Sequence, residues 1–333
     1  MPFSKNIFLF LRIIRKILHI PEHLPRFVQI SFTNHCNLSC AMCIRNYIDV
    51  EKRHMQWDDF TTIVGKLDGV EQISLAGMGE SLTHPRIFDA IRYCRKHGFK
   101  TQLTTNALLL DTDDIRTRII ESGLERISFS IESVRSDYAM GHANTKVHAN
   151  IQRLIELKKT LHVSHPKVTL QPILFSDKIE DVYEIIRWGA EHEVDRINVV
   201  RVDLRFVPNL KRPTVQEERN IYRKFAALRK QYNIRIDCLQ DQIFDGVLGF
   251  LYKHGKKLLR LDSWCYRFQD FIYINVNGDV HPCCYSKEQI MGNLLKNDLR
   301  SIWHGERFRH LRSNQSQYAY CKKCDFLRLK QLV

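Results

Sequence analysis

Cys36-Asn37-Leu38-Ser39-Cys40-Ala41-Met42-Cys43 follows at once on a β-type run at residues 27–33. Three thiols this close can hold three corners of an iron–sulfur cubane, because such clusters take Cys thiolates as ligands. One iron would then stay open to another ligand. A tetrahedral zinc site of three Cys and the adjacent His35 would use the same stretch. Position favours the cubane, since the loop follows the first strand of a repeating β-then-α pattern. In barrels built that way, chemistry sits at the carboxyl ends of the strands.

The pattern continues outward from that loop. Strand-like runs lie at 27–33, 72–76, 100–104, 126–131, 168–174 and 196–202. Helical periodicity fills 57–67, 85–97, 111–122, 146–161 and 179–192 between them. Six units in this order predict an α/β fold, a partial (β/α)6 barrel of parallel strands with helices outside. Residues 203–263 read as a basic, mostly helical connection with a helix at 214–231. A hairpin pattern at 272–275 and 280–281, a helix at 299–311 and a cysteine-rich end follow. The expected division is an N-terminal helix (1–25), a barrel (26–235), and a connection with a small cysteine-rich domain (236–333).

The formal charge of +14 raises the question of nucleic acid, but the basic residues are spread out and no nucleic-acid motif accompanies them. Ten cysteines without a secretory signal point to metal or catalysis in a reducing cytoplasm, and away from disulfides. Residues 7–20 place Arg12, Arg15, Lys16 and His19 on one helical face and Phe8, Leu11, Ile14 and Leu18 on the other. Such a helix either lies against the protein body or rests on the inner membrane surface, basic side toward headgroups.

Toward the end, Cys265 is followed by twelve residues, Gly278, four more and Cys283, with Cys321 and Cys324 closing the set. Four thiolates suit zinc or a second iron–sulfur cluster, and spacing alone leaves the two open. Cys94 and Cys238 read as ordinary buried thiols.

Cys36, Cys40, Met42 and Cys43 together resemble the signature of the radical S-adenosylmethionine superfamily. Ala76-Gly77-Met78-Gly79-Glu80-Ser81 is similar to its glycine-rich segment, with serine for the usual proline. Thr104-Thr105-Asn106-Ala107 resembles its third-strand turn, with alanine for glycine, which suggests a less strained turn. Ser128-Phe129-Ser130-Ile131-Glu132 resembles the ribose-contacting fourth strand. The resemblance implies a 4Fe–4S cluster on the three cysteines, whose open iron binds S-adenosylmethionine and yields a 5′-deoxyadenosyl radical. It further implies cofactor contacts from Met42, Gly77, Gly79, Glu80, Asn106, Ser130 and Glu132, with the Glu80 carboxylate accepting from the methionyl ammonium.

Cys265, Pro282-Cys283-Cys284, Gly292-Asn293-Leu294, Ile302-Trp303, Cys321 and Cys324 resemble the auxiliary-cluster region of SPASM and twitch enzymes. That implies a second, fully ligated 4Fe–4S cluster able to handle an electron but not to chelate substrate; the interval from Gly278 favours Cys283 over Cys284. The expected activity is hydrogen abstraction from a small polar, carbohydrate-like substrate, in an oxidoreductase of dehydrogenase type. A one-electron donor such as flavodoxin or ferredoxin would serve it. Arg201, near the sixth strand's end, is the candidate for orienting substrate, with Gln171 inside the fifth strand; Asp203 and Arg205 are poorer candidates, and His84 reads as a helix-start residue. The alternatives are a maturase modifying a peptide or protein side chain, and a non-catalytic zinc protein.

Overall fold

The computed structural model of the 333-residue chain describes residues 23–134, 144–204, 210–238, 265, 268, 270–284, 286, 288–322 and 324. The expected helix at 7–20 and Arg205 lie outside these residues.

Seven parallel strands form the body: β1 (Phe27–Ile30), β2 (Gln72–Leu75), β3 (Lys100–Thr105), β4 (Arg126–Ser130), β5 (Lys167–Gln171), β7 (Arg196–Arg201) and β8 (Ile236–Cys238). Between them run α1 (Trp57–Val64), α2 (Ile87–Lys96), α3 (Asp113–Glu121), α4 (Asn144–Thr160), α5 (Ile179–Glu191) and α6 (Val215–Tyr232). Alternation sets the faces. Val28, Ile30, Ile73, Leu75, Leu103, Ile127, Leu170 and Ile197 are fully buried and share one core with Phe60, Ile91, Ile119, Ile151 and Ile185 of the helices. Burying side chains of this size stabilises by about 1.5–3 kcal/mol each. The intervening strand residues face the other way, into the barrel.

Local signals start and stop the helices. The Thr112 hydroxyl caps α3 by accepting from Ile115 N, and Thr214 and Glu217 form a reciprocal capping box at α6. Pro172, which has no N–H to give, splits the expected fifth strand into β5 and the short β6 (Ile173–Leu174). The expected helix at 299–311 is two, α7 (Leu299–Trp303) and α8 (Glu306–Ser313), divided at Gly305.

The largest departure from the expected plan lies in the last third. Strand β8 was not foreseen and extends the sheet beyond β7. At the opposite edge β9 (Phe271–Ile274) pairs in parallel with β1, and β10 (Asp279–His281) and β11 (Gly292–Asn293) continue antiparallel from it. The result is one eleven-stranded sheet, ordered β11-β10-β9-β1-β2-β3-β4-β5-β7-β6, with β8 on β7. The hairpin of the cysteine-rich part is therefore the outer edge of the barrel sheet, and across residue 235 β8 pairs with β7 and β9 with β1. Arg26 locks this join from beneath, with Nη2 at 2.6 Å from Asp270 Oδ2 just before β9.

Candidate active site

The loop after β1 carries Cys36, Cys40 and Cys43, and no disulfide engages any of the ten cysteines. Within it, Cys43 N donates to Cys40 O at 2.9 Å and starts a short 3-10 turn at Ile44–Asn46. Burial first, then the neighbouring Glu132, Cys43 and Cys36, together push the Cys40 thiol up to about 11. These groups therefore share one electrostatic neighbourhood. Among the described residues, no three Cys, His, Asp or Glu side chains converge on a single metal-ion position. A cubane asks for less, since each thiolate takes its own iron.

The glycine-rich segment after β2 backs onto this loop. A Cβ at Gly79 would stand 2.3 Å from His35 O and 2.7 Å from Thr33 O, and one at Gly77 would stand 1.9 Å from Ser31 Oγ. No side chain fits there, so both positions need glycine for close approach. Glu80 N donates to His35 O at 2.8 Å, which ties the two segments immediately before Cys36. Ser81, in place of the expected proline, donates from its hydroxyl to Leu75 O at 2.8 Å and closes the turn.

The Glu80 side chain is not directed as expected. It is 3 % exposed, and its two oxygens accept from Asn106 N at 2.7 Å and Leu82 N at 3.1 Å. Burial pushes this carboxyl up while those backbone bonds hold it down. Both of its oxygens are thus engaged by the backbone of the scaffold. Asn106 in turn donates from Nδ2 to Asn37 Oδ1 at 2.8 Å, inside the cysteine loop. Three segments singled out in the sequence thus meet at one place. Ala107 overturns the expectation of a relaxed turn: its φ is 64°, the left-handed region that glycine favours.

Glu132 is 4 % exposed, and burial pushes its carboxyl to about 8, so it is largely neutral at pH 7. Ser130, at the end of β4, pairs with Gln171 of β5. Met42 packs on Phe175 and Val202, beyond the ends of β6 and β7, so the cysteine loop reaches across the barrel mouth. Arg201 is not available as expected. Its Nε and Nη2 donate to Glu218 Oε1 at 2.7 Å and Oε2 at 3.1 Å, in a pair buried between β7 and α6. A cation so engaged is part of the joint, because freeing it would strand the Glu218 charge in the interior. His84 is buried and accepts Arg86 N through Nδ1, as a helix-start residue does.

In the C-terminal region Cys265 and Cys321 are each 6 % exposed and belong to the main core, with Cys283 and Cys324 packed against it. Cys284 does not join that set. Gln315, itself buried, fixes the Cys265 backbone N–H and donates to Arg312 O. Cys94 and Cys238 are buried thiols, as expected.

Sequence reading missed Ser31 and Asn37, which make contacts between segments, accepting from Met78 N and Asn106 Nδ2. In a single sequence they look like ordinary loop polars, and their partners lie on other elements.

This is the architecture of a parallel β/α barrel with a three-cysteine loop after its first strand and a cysteine-bearing edge whose β9 pairs with that strand. The chain belongs to the radical SAM superfamily, whose profile matches residues 30–189. An iron–sulfur cluster-binding SPASM domain matches residues 265–325, so it is a SPASM-bearing member. It is similar to the tungsten-containing aldehyde ferredoxin oxidoreductase cofactor-modifying protein of Pyrococcus furiosus, at 24% identity over 90% of this chain and 87% of that one. It is also similar to the AdoMet-dependent heme synthase of Methanosarcina barkeri, at 22% identity over 91% and 89%. In fold it resembles Streptococcus suis SuiB bound to S-adenosylmethionine, with a TM-score of 0.72 at 19% identity, over 98% of this chain and 77% of SuiB. The chain is thus a radical SAM enzyme with a SAM-binding 4Fe–4S cluster and an auxiliary-cluster domain. Among the described residues, no helix is long and apolar enough to cross a membrane.

Proposed function

We propose that this enzyme abstracts a hydrogen atom from a small, neutral, hydroxyl-rich substrate of carbohydrate kind and passes one electron of the product-forming step to its auxiliary cluster. Cys36, Cys40 and Cys43 hold the first cluster, and Cys265, Cys283, Cys321 and Cys324 hold the second. When bound, the first cluster with S-adenosylmethionine supplies a 5′-deoxyadenosyl radical, and the second supplies a one-electron sink. The Gly77–Gly79 backbone, Met42, Asn106, Ser130 and Glu132 wall the cofactor. A flavodoxin- or ferredoxin-type donor provides the reducing electron.

The observation that carries the substrate class is the barrel's inner face. In register across the sheet, Gln29, Ser74 and Gln102 form one inward row that continues into Arg126 and Lys167; Thr104, Ser128 and Thr169 form the next, which meets Arg196; and Ser130 pairs with Gln171, which accepts from Asn198, nearer the strand ends. Arg126, Lys167 and Arg196 are the first residues of their strands, and Lys167 and Arg196 are paired with Asp195 and Asp237. The amides and hydroxyls of Ser128, Thr169, Ser130, Gln171 and Asn198 toward the strand ends match the neutral donors and acceptors of such a substrate.

The test is anaerobic turnover of the reconstituted enzyme with reductant, S-adenosylmethionine and a panel of sugars and aminocyclitols. Substrate-stimulated 5′-deoxyadenosine, with a product two mass units lighter, supports the proposal. The fold shared with SuiB, also solved with the precursor peptide SuiA, favours a second reading as a peptide maturase. Stimulation by peptides and by no small polyol would select it.

A further inference from the structure

Immediately after Cys43 the chain makes one 3-10 turn, and three consecutive side chains reach back over the loop that carries the thiols. Arg45 donates from Nη2 to Leu38 O at 2.7 Å, Asn46 from Nδ2 to Cys40 O at 2.8 Å, and Tyr47 from its hydroxyl to Ala41 O at 3.2 Å. Arg45 also donates from Nε to Cys43 Sγ at 3.4 Å, a contact suited to a charged donor on sulfur. The guanidinium is forked between a backbone carbonyl and a sulfur, so its position is set from both ends. It is the cation that touches this sulfur among the contacts of the described residues.

We infer that Arg45 is a positioning residue that sets the reduction potential of the SAM-binding cluster, while Asn46 and Tyr47 clamp the loop beneath it. The inference rests on Cys43 being a ligand of that cluster, and not on the substrate. Hydrogen bonds to sulfur and nearby positive charge both favour the reduced, more negative state of an iron–sulfur cluster. Arg45 supplies both at one ligand, and so eases uptake of the single electron delivered by the external donor. No other atom changes partner in that step: the donor is oxidised by one electron and the cluster is reduced by one. Lysine would keep the charge but lose the planar fork that reaches Leu38 O and Cys43 Sγ together.

The test uses the full chain with both clusters assembled, and reads the midpoint potential of the SAM cluster by EPR-monitored redox titration without substrate. Arg45→Gln is expected to retain iron and to move that potential to a more negative value, with Arg45→Lys falling between it and the wild type. The auxiliary-cluster potential should stay where it is. Equal SAM-cluster potentials in wild type and Arg45→Gln would overturn the inference. Should Arg45→Gln lose its cluster, Arg45→Lys decides alone: a lowered potential supports the role, and an unchanged one overturns it. Cys43→Ala, read by iron content, tests the ligand assignment separately.

Discussion

Glu80 Oε2 accepts the backbone N–H of Asn106 at 2.7 Å, joining the turn after β2 to the turn after β3. The other oxygen takes Leu82 N, so one buried carboxylate satisfies two donors on different segments. Asn106 then carries the link to Asn37 in the cysteine loop. Glu80→Gln keeps the shape but turns one acceptor into a donor that faces an N–H. It should cost about 2 kcal/mol through that unmet pair, read by chemical denaturation. S-adenosylmethionine affinity by calorimetry should fall with it.

Gly79→Ala tests the close approach of two backbones. Its Cβ would meet His35 O and Thr33 O, both backbone atoms just before Cys36, so the loop must move away. Iron should drop from about eight per chain, two cubanes, toward about four. The spectroscopic signal of the auxiliary cluster should persist.

Ala107 offers the reverse case. Glycine at φ 64° relieves about 1 kcal/mol of left-handed strain, against about 0.8 kcal/mol for the buried methyl that is lost. Ala107→Gly should therefore leave unfolding free energy within about 1 kcal/mol of wild type. Ala90→Gly, equally buried but inside α2, should cost about 1–2 kcal/mol through helix propensity and the lost methyl. Denaturant midpoints compare the two.

Glu132 gives a pH signature. Burial holds its carboxyl at about 8, above its ordinary value, so folding takes up a proton between the two values. The associated stability is fully present below the ordinary carboxylate range and is lost as pH rises through about 8. Thermal melts of the wild type from about pH 5.5, inside that window, to about pH 8.5, just above it, should decline more steeply than those of Glu132→Gln.

Cys283 and Cys284 can be told apart by iron content. Cys283 packs on the core that holds Cys265 and Cys321, and Cys284 does not. Cys283→Ala should lose the auxiliary cluster while Cys284→Ala keeps it. Cys40→Ala should abolish S-adenosylmethionine cleavage, whereas Cys324→Ala should leave some cleavage and impair turnover.

Much of this protein was written in local pattern. The spacing of Cys36, Cys40 and Cys43, the alternation of β1 to β5, and the turn residues at Gly77 and Gly79 each depend on a few neighbouring residues, so sequence alone determined the barrel and its chemistry. What the tertiary structure decided concerns partners far apart in the chain. It paired β9 with β1, making the cysteine-rich hairpin an edge of the barrel sheet. It gave Arg201 to Glu218, and it turned Glu80 inward to Asn106. It also put Ala107 in a conformation its side chain disfavours, where the surrounding contacts outweigh a strain of about 1 kcal/mol. Strand pairing between distant segments and the partner of a buried charge follow from packing geometry, which no single residue or short spacing encodes.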